Sequence, residues 1–301
     1  MAEKIISPGV FTRENDLSFL PQGVGEIGAA IVGPTVKGPI GIPTLVTSYG
    51  EYVAKFGDTH KSGSDYYQYL TSHTAERYLQ FAGALTVVRV AGKDGTFASS
   101  SVATSSATPT AGGTAFELYT LSEGTTFNNS GTPGTNQALA SGSTDNIRWE
   151  VTNKNNATGT FNLLIRRGDD TANNKVILET WNNVSLDPKQ TNYIAKVVGD
   201  SYQQVDATDT SDPFIKDVGE FRTMSQYVRV TVKKKTIDYL DANGSVRVAA
   251  ASASLPINGS GSFAGGADGD TVAGAAKYYG DIASANCQGF DFNDLTNTNG
   301  G

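Results

Sequence analysis

The sequence predicts an α+β protein in which a mixed α/β core part carries a β-rich inserted domain, of antiparallel sandwich or barrel-like form. Residues 21–98 combine short apolar strands with two helical stretches, which is the order of a sheet covered by helices. Residues 114–262 contain many short alternating segments separated by turn signals, the pattern of antiparallel sheets. The 34 glycines of the chain also favour a fold with many turns.

In the first part, residues 27–32 form an apolar strand, and residues 44–46 resume the extended chain after a Gly-Pro-rich connector. Ser48 and Glu51 have the spacing of a capping box, so we expect a short helix that stops at Gly57. Asp65 is positioned to cap a longer helix that runs to about Ala82, and residues 85–90 then form a strand.

Residues 99–113 belong to a Ser-, Thr- and Gly-rich stretch and are the predicted linker to the second part. Beyond it, hydrophobic alternation predicts short strands. These are residues 115–121, 147–151, 160–166, 176–181, 193–198, 227–233 and 246–250. Residues 263–301 follow this part; they begin with a Gly-rich loop and end in a polar, Asn-rich stretch.

Residues 1–20 are predicted to be an extended N-terminal arm, because Pro8-Gly9 breaks any helix. An apolar extended arm can add a strand to the sheet edge of another subunit. The alternative is a terminus that is disordered or packs on its own domain. The residues that would make the link are Ile5, Ile6, Ser7, Pro8, Gly9, Val10 and Phe11.

Composition and motifs argue against several classes of function. The net charge of −7 makes nucleic acid an improbable partner, and the lone Cys287 fits a reducing compartment. With no apolar run of about 18 residues, we expect no membrane insertion. The glycines of residues 23–28 lack the strand and helix of a dinucleotide site. Asp169-Asp170 lies in a predicted hairpin turn, where we expect solvated carboxylates. We therefore predict no catalytic, cofactor or metal site.

Three segments, in this order along the chain, resemble those of contractile tail sheath proteins of bacteriophages and related contractile injection systems. The first has two Gly-Pro pairs, at residues 33–34 and 38–39, followed by the short helix that ends in Phe56-Gly57. The second follows a strand hairpin and comprises Glu179, Trp181, Asn183, Val184, Ser185, Leu186, Asp187, Pro188 and Tyr193. The third is residues 263–269, with two glycines before Asp268. In that family such a segment leads out of the β-rich insertion, so the resemblance implies that residues 263–301 are a return segment toward the core. The Ser7-Pro8-Gly9-Val10 opening is also similar to that family.

The resemblance implies a structural subunit and not an enzyme. It would polymerise with itself in helically stacked rings around an inner tail tube protein, meet baseplate and tail terminator proteins, and contract to drive the tube through a cell envelope. The protein would belong to the virion tail and be assembled in the host bacterial cytoplasm. Family members continue beyond the point that corresponds to Gly301, which implies that this sequence is truncated.

Two other classes of function stay open from the residues. A β-sandwich carbohydrate-binding module of a phage fibre or adhesin would account for residues 114–262, although not for the α/β part. A glycoside hydrolase that uses paired carboxylates would need no histidine or cysteine.

Overall fold

The computed structural model describes residues 28–62, 65–91, 95–104, 113–125, 142, 144–206, 208, 213–247 and 252–268. Within these residues the protein is mostly β, with several sheets, none of which closes into a barrel. The α+β prediction is therefore correct in outline, and the proportion of β-structure is higher than a balanced α+β fold would have. No helix in the described ranges is long and apolar enough to cross a membrane.

The α/β part is built on a three-stranded sheet of order β1-β5-β2. Its strands are β1 (Ala29–Gly33), β2 (Thr44–Val46) and β5 (Leu85–Arg89). β1 runs parallel to β5, and β2 runs antiparallel to it. Helices α1 (Tyr49–Phe56) and α2 (Leu70–Leu79) pack on one face of this sheet.

Helix α1 begins and ends where the sequence predicts. The backbone N–H of Glu51 donates to Ser48 Oγ at 3.2 Å, while the Glu51 carboxylate accepts from the backbone N–H of Thr47 at 2.8 Å. In the usual capping box the glutamate side chain accepts from the N–H of the cap residue itself, whereas here it accepts from the residue before the cap. Gly57 ends the helix with φ of 75°, a conformation that glycine adopts without strain. One turn apart on the buried face, Tyr52 and Phe56 stack at 5.5 Å.

The prediction that Asp65 starts a helix is wrong. Residues Asp65–Gln68 form strand β4, which pairs antiparallel with β3 (Thr59–Ser62), and α2 begins only at Leu70. Strand β3, only a few residues earlier in the chain, provides hydrogen-bond partners for the backbone of this segment. That strand pairing outweighs the capping signal of Asp65.

Two antiparallel sheets of the β-rich part share one hydrophobic core. One has the order β10-β9-β8-β14 and the other β13-β7-β6. Their strands are β6 (Phe97–Ala103), β7 (Thr114–Glu123), β8 (Ile147–Asn155), β9 (Thr160–Arg167), β10 (Ile177–Ser185), β13 (Val228–Val232) and β14 (Gly259–Ser262). Phe116 of β7 stacks on Phe161 of β9 at 5.7 Å across the core. This is a sandwich arrangement.

Three details of this part differ from the sequence prediction. Strand β6 extends into the stretch predicted as a linker, over residues 99–103, and pairs with β7. Residues 193–198 form the short helix α3 (Ile194–Val197) and not a strand. Their apolar side chains are buried in the same core, so burial was predicted correctly and conformation was not. Of the strand predicted over residues 246–250, only an isolated bridge between Val246 and Leu240 lies in the described residues.

A two-stranded hairpin, β11 (Tyr202–Asp206) and β12 (Phe214–Val218), lies apart from both sandwich sheets. Val205 pairs with Ile215, and Gln203 pairs with Asp217. An isolated pair of strands is only marginally stable in water, so its position depends on contacts at its base.

Candidate functional site

The predicted linking residues Ile5 to Phe11 lie outside the described residues, so the arm stays a prediction. The described part of the chain offers a different feature, namely the joint that connects the α/β part to the β-rich part within the molecule. It is built around one buried arginine.

Arg89 lies at the end of β5 and is only 2% exposed. Its Nη1 donates to the carbonyl oxygens of Gly38 and Glu123, each at 2.7 Å. Its Nη2 donates to Asp268 Oδ1 at 2.9 Å. One guanidinium therefore holds three segments that are far apart in sequence: the Gly-Pro connector, the end of β7 and the return segment. A planar donor with five N–H groups suits this task.

The carboxylate of Asp268 has a second partner on the chain that follows β7. Asp268 Oδ2 accepts from the Thr125 hydroxyl at 2.9 Å. Gly124 sits between the two groups with φ of 124°, and a Cβ there would lie 2.6 Å from Asp268 Oδ1. Only glycine provides both this backbone conformation and this space. Glu123 also closes the joint, since its Oε2 accepts from the backbone N–H of Ile40 at 3.3 Å, and burial raises the pKa of its carboxyl.

The chain enters and leaves the β-rich part side by side. Thr96 and Ala267 exchange backbone hydrogen bonds of 2.9 and 3.2 Å, and Ser99 and Ala264 exchange bonds of 2.8 and 2.9 Å. These antiparallel bridges place the return segment along the start of β6. Two adjacent chain connections are what an inserted domain requires.

The segment with the sheath-like residues 179–193 is held by its own polar side chains. The Glu179 carboxylate accepts from the Ser225 hydroxyl at 2.6 Å and from the backbone N–H of Gln226 at 2.7 Å. Asn183 adopts φ of 52°, a left-handed conformation that asparagine tolerates. Asp187, 1% exposed, accepts from the backbone N–H of Lys189 at 3.0 Å. These residues shape a corner of the fold.

The opposite face of the β10-β9-β8-β14 sheet carries a buried network of charges. Arg166 Nη1 contacts Glu150 Oε2 at 2.6 Å, and Arg166 Nε contacts Asp170 Oδ2 at 2.6 Å. Arg148 Nε lies 3.6 Å from Asp170 Oδ1, and Lys175 Nζ lies 2.7 Å from Glu150 Oε1. Burial and the neighbouring guanidinium of Arg166 lower the pKa of Arg148. Both carboxylates act as ion-pair partners in this network.

The expectation that Asp169-Asp170 is a solvated turn is therefore wrong for Asp170, which is 3% exposed. Asp169 has the partly exposed partner Arg167. Asp170 is buried because Arg166, four residues earlier on β9, brings its guanidinium under the turn. The sequence could have indicated the Arg166–Asp170 pair, because the two opposite charges are only four residues apart. The approach of Arg148 from β8 could not be seen in this way, because it depends on strand pairing.

Arg229 on β13 is enclosed by aromatic rings. Its guanidinium carbon lies 3.8 Å from the ring centre of Tyr202, 4.5 Å from that of Tyr119 and 4.9 Å from that of Phe97. Burial lowers the pKa of Arg229. Because Tyr202 begins β11, this stack attaches the base of the exposed hairpin to the sandwich. In the sequence Arg229 alternates with buried valines, and this pattern alone predicts an exposed side chain.

No group of three or more His, Cys, Asp or Glu side chains suited to a metal ion occurs in the described residues. The polar clusters of the joint, the buried network and the aromatic stack instead form ion pairs, hydrogen bonds and cation–π contacts. Within the described ranges, the chemistry at these three places is that of a protein that holds its segments in fixed positions.

No protein-family model and no curated protein matches the chain. Among solved structures, the chain is similar to a sheath tail protein from Listeria innocua, with 10% sequence identity and a TM-score of 0.39 over 82% of this chain. It is also similar to a sheath tail protein from Desulfitobacterium hafniense, with 11% identity and a TM-score of 0.36 over 88% of this chain. The chain spans only 35% and 40% of the lengths of these two proteins.

Proposed function

We propose that this chain is a structural subunit of a contractile tail sheath. In this proposal residues 1–20 are a linking arm, residues 21–98 and 263–301 belong to a core part, and residues 114–262 are a domain inserted into it and exposed on the outside of the tail. Subunits form helically stacked rings around an inner tube, and the sheath shortens to drive that tube into a cell envelope.

The observation that carries the proposal is the convergence of two sheath-like segments on Arg89. Gly38 belongs to the Gly-Pro connector, and Asp268 belongs to the return segment, 179 residues after Arg89. The motifs were identified separately along the sequence, and the same guanidinium binds both. Chance matches in a glycine-rich chain have no reason to meet at one buried charge. The adjacent entry and exit strands further support an inserted domain.

The mechanism follows from main-chain linkage. An arm that adds a strand to a neighbouring subunit is held by backbone hydrogen bonds, which do not depend on how the two subunit bodies face each other. The bodies can then slide and rotate while the subunits stay connected. The extended sheath is a metastable arrangement, and its contraction releases free energy stored during assembly.

Immunogold electron microscopy tests this proposal on particles from the native source, with antibody raised against residues 114–262. We expect gold along the whole length of a contractile tail, in both its long and its short state. Gold confined to fibres or to the baseplate would overturn the proposal and assign the chain to a binding module.

A further inference from the structure

Two exposed apolar surfaces on different parts of the molecule carry opposite charges. The first, here called the α2 stripe, is the outward face of α2 and the turn that follows it. Its ends are Leu70, 78% exposed, and Phe81, 91% exposed, and Arg77 lies between them. The backbone N–H of Phe81 donates to the carbonyl of Tyr78 at 3.1 Å, so the helical turn continues to that residue. Tyr78 and Thr74 complete a shallow groove.

The second surface, here called the hairpin face, is one side of the β11–β12 hairpin. Val205 and Ile215 are cross-strand partners and are 42% and 43% exposed. Asp217 is two residues beyond Ile215 on β12 and is therefore on the same side of the hairpin. A carboxylate thus lies beside an exposed apolar pair on this surface, as a guanidinium lies beside exposed apolar residues on the α2 stripe.

Among the described residues, neither Arg77 nor Asp217 takes part in an ion pair, so each charge can face a partner outside the molecule, whereas Lys55 and Lys189 are already paired with carboxylates of the same chain. Large apolar side chains next to an unpaired charge are the pattern of an interaction surface with a charged rim.

The spacings of the two surfaces agree. Arg77 and Phe81 are four residues apart on a helical path, about 6 Å at 1.5 Å per residue. Asp217 and Ile215 are two residues apart on a strand, about 6.8 Å. An Asp217–Arg77 ion pair can therefore form while Ile215 packs against Phe81. Val205 borders this contact on the same side of the hairpin, and its Cγ2 also lies beside Gly41 of the same chain.

We propose that the hairpin face of one subunit docks on the α2 stripe of a second copy of this chain. The choice of a second copy as the occupant rests on the proposed function. The contact is heterologous, because different surfaces of the two copies meet, so the first copy still has a free α2 stripe and the second copy a free hairpin face. Such contacts propagate into rings or helical filaments instead of closing as dimers. The proposed docking contact lies on the body of the subunit, so it is separate from the contact made by the predicted arm.

A charge exchange across the interface tests the contact. Arg77→Asp and Asp217→Arg are each introduced into the full chain, alone and together, and self-association is measured by sedimentation velocity and electron microscopy. Each single variant places like charges opposite each other and is expected to weaken association on the order of tenfold, a difference of about 1.4 kcal/mol. The double variant restores the opposite pairing and should recover most of the association.

Two matched controls make the same charge changes on exposed residues outside both surfaces: Lys235→Asp and Glu220→Arg. Both are expected to associate like the wild type. If the wild type assembles but the two single variants assemble equally well, or if the double variant is not rescued, the docking contact is overturned while the sheath proposal stands. If the wild type itself stays monomeric at every concentration and salt level, both proposals fail. Circular dichroism of each variant separates lost association from lost folding.

Discussion

Replacing Arg89 by methionine should uncouple the two parts of the molecule. The substitution leaves the Asp268 carboxylate without its buried partner, and it leaves the carbonyls of Gly38 and Glu123 without a charged donor. Breaking a buried ion pair by removing one member costs about 3–5 kcal/mol. The side chain of Asp268 is 27% exposed, so water can replace part of the lost interaction. We therefore expect a loss of about 3 kcal/mol in the free energy of unfolding.

The two parts can be followed separately during urea unfolding. Both tryptophans of the chain, Trp149 and Trp181, lie in the β-rich part, so their fluorescence reports on that part alone. Circular dichroism near 222 nm is weighted toward helices, and the two longest described helices belong to the α/β part. In the wild type the two transitions should coincide, as expected for cooperative unfolding. In R89M they should separate, with the helical signal lost at the lower urea concentration.

The control is Arg167→Met, which makes the same substitution in an ion pair with Asp169 whose side chains are 37% and 29% exposed. Partly exposed pairs contribute about 1 kcal/mol or less, so the transitions should shift little and stay together. A double-mutant cycle of Arg89→Met with Asp268→Asn should give a coupling energy of about 1–3 kcal/mol. A midpoint shift for R89M no larger than that of R167M, or a coupling energy near zero, would refute the structural role of this ion pair.

Four further predictions follow from the other sites. Gly124→Ala should destabilise the protein by about 1–3 kcal/mol, measured by urea unfolding, because its φ is left-handed and its Cβ would lie against Asp268. Arg229→Met removes a buried cation–π stack of about 2 kcal/mol, so hydrogen exchange should speed up in β11 and β12 and stay slow in β8 and β9. Hydrogen bonds from Lys55 and from the backbone N–H of Thr47 lower the pKa of Glu51 from 4.5 to about 2. Because the pKa is lower in the folded state, this stabilisation is complete above pH 4.5 and is lost as the pH falls toward 2. The gap in Tm between wild type and Glu51→Gln should close over that range. Deleting residues 1–12 should leave a folded, soluble subunit that forms no tubes; normal tubes would contradict the arm.

The sequence predicts elements whose signals are local. Helix α1 has its cap, its buried pair and its terminal glycine within ten residues, and strands β8 to β10 show their two-residue alternation directly. Asp65 failed as a helix start because the residues before it form its strand partner. The two-residue Gly63-Ser64 connection is a hairpin signal that could have revealed this. The six residues 193–198, five of which are apolar, are too few for periodicity to separate a buried strand from a buried helix.

The joint could not be predicted from the sequence, because its partners are distant along the chain. A charged residue such as Arg89 at the end of an apolar strand usually lies in solvent, and only the third dimension brings Asp268 to it across 179 residues. The same applies to Arg229. Its alternation with Val228 and Val230 predicts exposure, whereas aromatic rings from β6, β7 and β11 bury it.

The contacts of the sheath-like residues explain what that resemblance means physically. Glu179 and Asp187 accept hydrogen bonds from nearby backbone and hydroxyl groups, and Asp268 binds Arg89. These side chains are occupied inside the molecule, so the motif residues serve the folding of this chain. In the proposed sheath, contacts between subunits would use other atoms, namely surfaces whose apolar groups and charges are left over after folding. The α2 stripe and the hairpin face meet that condition among the described residues, and this is why the Arg77–Asp217 exchange tests assembly independently of the fold.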